Sequence, residues 1–477
     1  MERIKSFLND PLNRFFVVSF ITVNSFKLWA MQLFPITCDE AYYWLWHKHL
    51  SISYVDHPAF IAYFNKFISL FGEYNLFNFR LAGLTLAIIA TYFIYKTGET
   101  LFDRKVGIIA ATLFLLIPHY IIIWLTVTID NPLAMFWALA LYFFAKIYKE
   151  GKPTDWYWFA FAFGFGVLSK YTMVFFLLPV FLILIFDKNQ RGWLFKKEPY
   201  LAFLLSIVIF SPIIIWNVQH NFISFLFHSG RLGKTNIPQN ILDLIGDQLV
   251  HFTPFLFLGF IIYARQLWQK SKYYFAFSIP LLLIFLAFTF VIKVWAHWVI
   301  VYQFAALSGV AVMIAGNYKV TRRVVIAIWV FDIIAVSLIL FGSSMLLPRQ
   351  AQYQQNYSLV QKYQRLPPHT YIMAPYHGMA SELAFYTHQP TFMVKDYLRV
   401  EEHGFGQKQF DLWGGPDIKR GENIVYFGPA NLETKQKLKK QFARVVIRPD
   451  LDLYAIESYL DDLVPYYCTG FKGAVSL

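Results

Sequence analysis

Residues 106–124 read VGIIAATLFLLIPHYIIIW, a stretch without a single Lys, Arg, Asp or Glu. A membrane span needs about 20 mostly apolar residues, so this stretch predicts one crossing. Its flanks differ. Arg104 and Lys105 precede it, and Thr126-Val127-Thr128-Ile129-Asp130-Asn131-Pro132 follows it. Basic residues collect on the cytoplasmic side of spans. The Arg104 end is therefore read as inside and the Asp130 end as outside.

The same reading applied outward finds spans at 15–34, 80–95, 131–146, 156–170, 172–187, 200–216, 250–264, 273–292, 295–316 and 324–347. The expectation is a polytopic α-helical membrane protein of about 11 transmembrane helices, with 13 as the upper bound. The N-terminal apolar run exceeds a signal-peptide core and no A-x-A site follows it, so it is read as the first span. Composition agrees: the chain is 57% apolar and 15% charged, whereas soluble domains run at about 45–50% and 25%. A water-soluble enzyme and a disordered tail are both excluded. With the N-terminus inside, 19 basic residues fall in short inner loops and 7 on the outer side of the membrane region. The net charge of +13 is thus a topology signal, not a nucleic-acid footprint.

Composition shifts after Pro348. Residues 349–477 hold 15 basic and 13 acidic side chains, and the preceding 348 carry a net +11. The tail has no 20-residue apolar run. It has strand-like stretches at 371–374, 424–427 and 443–447, and helix-like ones at 380–386 and 432–441. Two domains are expected: a membrane domain at 1–348 and a C-terminal α/β domain at 349–477, outside the cytoplasm. No internal repeat is visible, which counts against repeat-built transporters. Cys38 and Cys468 allow one disulfide at most, and Cys38 reads best as a small packing residue.

Ionisable residues near membrane depth are costly and usually functional. Here they gather on the expected outer side. The first outer loop opens with Thr37-Cys38-Asp39-Glu40-Ala41-Tyr42-Tyr43-Trp44 and continues with Tyr54-Val55-Asp56-His57-Pro58. Its interleaved aromatics predict interfacial helices with rings at headgroup depth. Asp39 and Glu40 point about 100° apart on a helix, so they need not share one site. Helix capping by Asp39, with Glu40 favouring the positive helix end, competes with a catalytic role. Asp130 has the same capping alternative, with Pro132 at an early helical position. Lys170, in Leu168-Ser169-Lys170-Tyr171-Thr172, has the alternative of a snorkelling lysine. Further outer loops supply His228 and Arg231, then Lys293 with His297 and Trp298. Singly each is interfacial decoration. Together, carboxylates and cations from five loops suit an anionic, lipid-linked substrate. Two carboxylates alone are weak evidence for a metal site, although a divalent cation is compatible with them.

The first-loop segment Asp39-Glu40-Ala41-Tyr42-Tyr43-Trp44 with Asp56-His57-Pro58 resembles that of bacterial family 39 glycosyltransferases of the GT-C superfamily. Thr128-Ile129-Asp130-Asn131-Pro132-Leu133, Leu168-Ser169-Lys170-Tyr171-Thr172, Trp216-Asn217, Lys293 with His297-Trp298, and Ser381-Glu382-Leu383-Ala384-Phe385-Tyr386 match in order. The resemblance runs from about residue 14 to about residue 430. It implies an inverting enzyme of the inner membrane that takes a sugar from a polyprenyl-phosphate donor at the periplasmic face. This fits the lack of a convincing Gly-rich phosphate loop.

The resemblance also implies roles. Asp39 would accept or orient the proton of an acceptor hydroxyl, or stabilise positive charge on the sugar if the acceptor is a phosphate. Glu40 and Asp130 would hold sugar hydroxyls or position cations. Lys170, Arg231 and Lys293 would neutralise the leaving phosphate, with Asp56, His57, His228, His297 and Trp298 completing donor binding. Aminoarabinose transferases carry Glu-Lys-Pro where this chain has Asp56-His57-Pro58, which points instead to the subgroup with galacturonic acid and mannose transferases. A uronic acid donor would want an added cation, with Arg231 and His228 as candidates. Lipid A or the lipopolysaccharide core is the expected acceptor, and a protein hydroxyl the second. A transporter or flippase of lipid-linked sugars is the alternative class; its ionisable residues would sit nearer the midplane.

Overall fold

The structure is a computed structural model that describes residues 9–32, 35–230, 236–337, 366–367, 370–393, 407–448 and 463–473. Each of the apolar stretches singled out above carries helix, the last as far as residue 337. Among the described residues, the helices Leu76–Leu101 and Glu198–Gln219 are long and apolar enough to cross a membrane unaided. Ile237–His251 and Pro254–Lys270 qualify together, bent by 111°. The remaining helices are shorter, broken or less apolar, so the count of about 11 straight spans is not reproduced.

Proline accounts for several breaks. The stretch 106–124 divides into Arg104–Leu115 and Pro118–Ile123. The stretch 273–292 divides into Lys272–Ala276 and Ile279–Phe288, with Pro280 in the first turn of the second piece. Proline lacks an N–H, so it starts a helix more readily than it continues one. The stretch 295–316 becomes helical only at Ile300, which leaves His297 and Trp298 in the turn before it.

Two compact units result. The first comprises Met1–Met31, His57–Ile61 and Phe77–Ile339; the second comprises Gln32–Asp56, Ala62–Leu76 and Leu340–Leu477. Most of the first outer loop thus groups with the tail.

In the first unit, the Leu76–Leu101 and Arg104–Leu115 helices meet backbone to backbone. A Cβ on Gly107 would lie 2.5 Å from the Tyr95 carbonyl oxygen. Small residues permit such close approach where lipid supplies no hydrophobic drive. Arg80 is fully buried, and its Nη1 donates to the Met31 carbonyl at 2.7 Å. It thereby satisfies a carbonyl at the end of the Pro11–Ala30 helix.

The second unit contains a five-stranded mixed sheet of strands β1 (Thr370–Ala374), β2 (Thr391–Met393), β3 (Asn423–Pro429), β4 (Phe442–Ile447) and β5 (Leu463–Phe471). Their order is β2-β1-β3-β5-β4. β1 runs parallel to β2 and β3, and β5 runs antiparallel to β3 and β4. Ile424, Tyr426, Leu438, Phe442, Tyr466 and Cys468 form its core. Cys468 is buried there and both cysteines are free thiols.

The helix His377–Thr387 follows β1 and packs within this unit on the loop helix Cys38–Trp46. Trp44 meets Phe385 edge to face at 5.0 Å, and Ile36 N–H donates to the Tyr386 hydroxyl at 3.3 Å. A Cβ on Gly378 would come within 2.8 Å of the Cys38 Cβ, so this crossing requires glycine. The packing corrects one expectation. The aromatics Tyr42, Tyr43, Trp44 and Trp46 are buried, not displayed at headgroup depth. Tertiary packing has converted an interface pattern into core. The other loop helix, Phe60–Ser69, does expose Tyr63 and Phe67.

Candidate active site

The acidic motif lies at the start of the Cys38–Trp46 helix. The N-cap is Thr37, not Asp39. Glu40 N–H donates to the Thr37 hydroxyl at 3.3 Å, and Thr37 N–H donates to Glu40 Oε2 at 3.5 Å, a capping box. Glu40 is therefore buried and engaged with the backbone. Asp39, next to it, is exposed. The pair thus separates into a buried carboxylate that shapes the turn and an exposed one. The capping reading belongs to Glu40.

Asp56 is 1% exposed. Its Oδ2 accepts a hydrogen bond from the Tyr42 hydroxyl. Burial and the Asp56 charge push the Tyr42 pKa well above its usual value, so the phenol stays a donor. Val55 N–H donates to Gln409 Oε1 at 2.9 Å, across 354 residues of sequence. Tyr42→Phe would leave a buried carboxylate oxygen without this donor. It is expected to lower stability by about 1–3 kcal/mol, read as a shift in thermal unfolding.

The first unit gathers a second constellation. Asp130 is the first residue of the Asp130–Glu150 helix, after an N-cap, Ile129, that makes no side-chain cap. The helix start is tied by Thr128, whose hydroxyl accepts from Asp130 N–H at 3.3 Å, and by Asn131, whose Oδ1 accepts from Thr128 N–H at 2.7 Å. Asp130 Oδ1 instead accepts from Lys170 Nζ at 2.7 Å. Lys170 follows the Asp155–Ser169 helix in extended conformation, and its side chain is 3% exposed. It is a buried ion-pair partner, not a snorkelling lysine.

The electrostatic neighbours of His297 are Lys170 and Asp130. Burial lowers its pKa, the Lys170 ammonium lowers it further and Asp130 opposes. The imidazole is therefore neutral near pH 7. Tyr171, adjacent to Lys170, meets the His228 ring edge-on at 5.6 Å, and the His228 and His57 rings lie 6.0 Å apart. Asp130, Lys170 and His297 thus form one group, and Tyr171, His228 and His57 form a second that starts at the next residue after Lys170. Sequence reading had passed over Tyr171, although its position beside Lys170 was the available signal. Trp298 flanks the site through an edge contact with His297 at 6.4 Å.

Lys293 is placed differently. It is half-exposed, pairs with Asp243 at 3.6 Å and lies 4.5 Å above the Trp295 ring. Its charge is matched by Asp243 on the Ile237–His251 helix. Arg231 lies outside the described residues. Among the described residues, no group of three or more His, Cys, Asp or Glu is placed to hold a metal ion.

Residues 56–216 match the family model described as dolichyl-phosphate-mannose-protein mannosyltransferase. A lipid A galacturonosyltransferase, RgtD of Rhizobium johnstonii, is 21% identical over 302 residues. That match covers 59% of this chain and 62% of the relative's length. The crystal structure of ArnT from Cupriavidus metallidurans bound to undecaprenyl phosphate superposes with a TM-score of 0.66 at 15% identity, covering 96% of this chain and 99% of that one. Its apo form gives 0.67 at 15% identity, over 94% and 97%. At that identity the likeness speaks for the fold. The family match over residues 56–216, the curated relative and the shared fold point the same way as the first-loop resemblance.

Proposed function

We propose that this chain is an inverting glycosyltransferase. It moves a sugar from a polyprenyl-phosphate donor to lipid A or the lipopolysaccharide core at the periplasmic face of a bacterial inner membrane. The observation that carries the reading is the buried Asp130–Lys170 pair with His297 as its electrostatic neighbour, next in sequence to Tyr171, whose ring contacts run on to His228 and His57. Ionisable groups so costly at membrane depth are kept for a charged substrate. The relative named as a lipid A galacturonosyltransferase supports the acceptor, and the fold shared with an undecaprenyl-phosphate-bound protein supports the donor. The membrane region at 1–348 would carry the chemistry, with the tail at 349–477 periplasmic.

In this reading one displacement occurs at the anomeric carbon. The acceptor oxygen attacks opposite the phosphate, the bond from carbon to phosphate oxygen breaks, and polyprenyl phosphate leaves with the electron pair. Asp39 accepts the acceptor's proton. Glu40 holds the turn that presents Asp39. Lys170, positioned by Asp130, and the imidazoles of His57 and His228 bind the phosphate. Lys293 and Arg231 contribute outer cations, and His297 and Trp298 bound the sugar. Asp56 supports the loop through Tyr42.

A second reading, transfer to a protein hydroxyl, is favoured by the description of the matching family model. One experiment separates the readings. Purified protein in detergent receives radiolabelled polyprenyl-phosphate sugar with lipid A, core oligosaccharide lipid or an unfolded polypeptide. Label is expected in the lipid fraction. Label in polypeptide establishes the second reading. No transfer in detergent, with movement only across sealed vesicles, establishes a flippase.

A further inference from the structure

The most anomalous charge in the membrane region is one that sugar transfer leaves unused. Lys27 stands in the last turn of the Pro11–Ala30 helix and is 2% exposed. Among the described residues, no hydrogen bond or ion pair reaches its ammonium. A snorkelling lysine keeps its head in water or headgroups, whereas Lys27 as a whole is only 2% exposed. The nearby Met31 carbonyl accepts from Arg80, not from Lys27. Nor does the acid on the helix that packs alongside. Trp329 Nε1 donates to Ser19 Oγ at 3.2 Å, joining the Tyr318–Ser337 helix to this one. Yet both oxygens of Asp332 on that helix lack a hydrogen-bond partner among the described residues.

One turn before Lys27, on the same helix face, Asn24 is also buried. Its Nδ2 donates to the Phe20 carbonyl at 2.7 Å, while its Oδ1 has no partner among the described residues. A buried cation beside a buried acceptor is complementary to an anion that carries a hydroxyl. Unmatched, both groups cost free energy.

We propose that Lys27 and Asn24 form a binding site for the headgroup of a membrane lipid. Lys27 takes the phosphate, and Asn24 Oδ1 accepts from a hydroxyl or protonated oxygen of the same headgroup. The inference is independent of the sugar-transfer reading, since phosphatidylglycerol and a polyprenyl phosphate both carry this chemistry.

The test uses delipidated full-length protein in detergent, titrated with phosphatidylglycerol, undecaprenyl phosphate or diacylglycerol and read by native mass spectrometry. Wild type is expected to bind one phosphate-bearing lipid that Lys27→Met binds about 30-fold or more weakly, as for other truncated charge pairs. Lys27→Arg is expected to retain binding and Asn24→Leu to lose part of it. Preference between the two phosphate lipids identifies the source. Without lipid, Lys27→Met is expected to melt at or above the wild-type temperature, because it removes an unmatched buried charge. Equal binding by wild type and Lys27→Met, or equal binding of diacylglycerol, overturns the proposal. A lower lipid-free melting temperature of Lys27→Met also overturns it, by showing that the cation is structural.

Discussion

Asp39→Asn is expected to lower sugar transfer by roughly 10²–10⁴-fold, the usual contribution of a positioned general base. Protein level, membrane insertion and melting temperature should be unchanged. The asymmetry of the acidic pair is the reason. Glu40 closes the capping box with Thr37, whereas Asp39 is exposed and is not the N-cap. Its loss therefore leaves the helix start intact. Glu40→Gln should behave differently: the carboxamide can still accept from Thr37 N–H, so activity should fall less than for Asp39→Asn. Comparing the two variants in the detergent assay decides the assignment. Wild-type turnover by Asp39→Asn would remove Asp39 from the chemistry.

Lys170→Met should have the second largest effect, and on stability as well as turnover. The Lys170–Asp130 bond is 2.7 Å long and both side chains are nearly enclosed. Removing one partner of such a pair costs about 3–5 kcal/mol, because the other charge is left buried and uncompensated. Replacing both with neutral groups costs far less. The double variant Asp130→Asn with Lys170→Met should therefore recover most of the stability lost by Lys170→Met, and none of the activity. Thermal unfolding in detergent measures the first statement, and transfer of labelled sugar the second. Stability that falls further in the double variant would show that the pair is not coupled as the geometry requires.

The sequence legible in advance was the part governed by local physics. Every stretch marked by apolar length carries helix, because hydrocarbon demands it whatever the neighbours. In the tail, 371–374, 424–427 and 443–447 fall in β1, β3 and β4, and 380–386 and 432–441 fall in helices. Alternation and turn residues act over a few positions and need no partner to be read. Spacing brought five outer loops under suspicion, and residues from several of them do meet. What chain order could not supply was pairing. Lys170 and Asp130 are separated by 40 residues, Val55 and Gln409 by 354. Nothing local distinguishes a lysine that snorkels from one that pairs. Packing made that choice, as it turned the Tyr42–Trp46 rings from interface to core and matched Lys293 with Asp243. It also buried Lys27 with no counter-charge among the described residues. Composition and periodicity determined that these residues would be helical and within reach of a membrane. Only the tertiary structure decided which charges neutralise one another, because desolvation and Coulomb energy depend on distances in space and not along the chain.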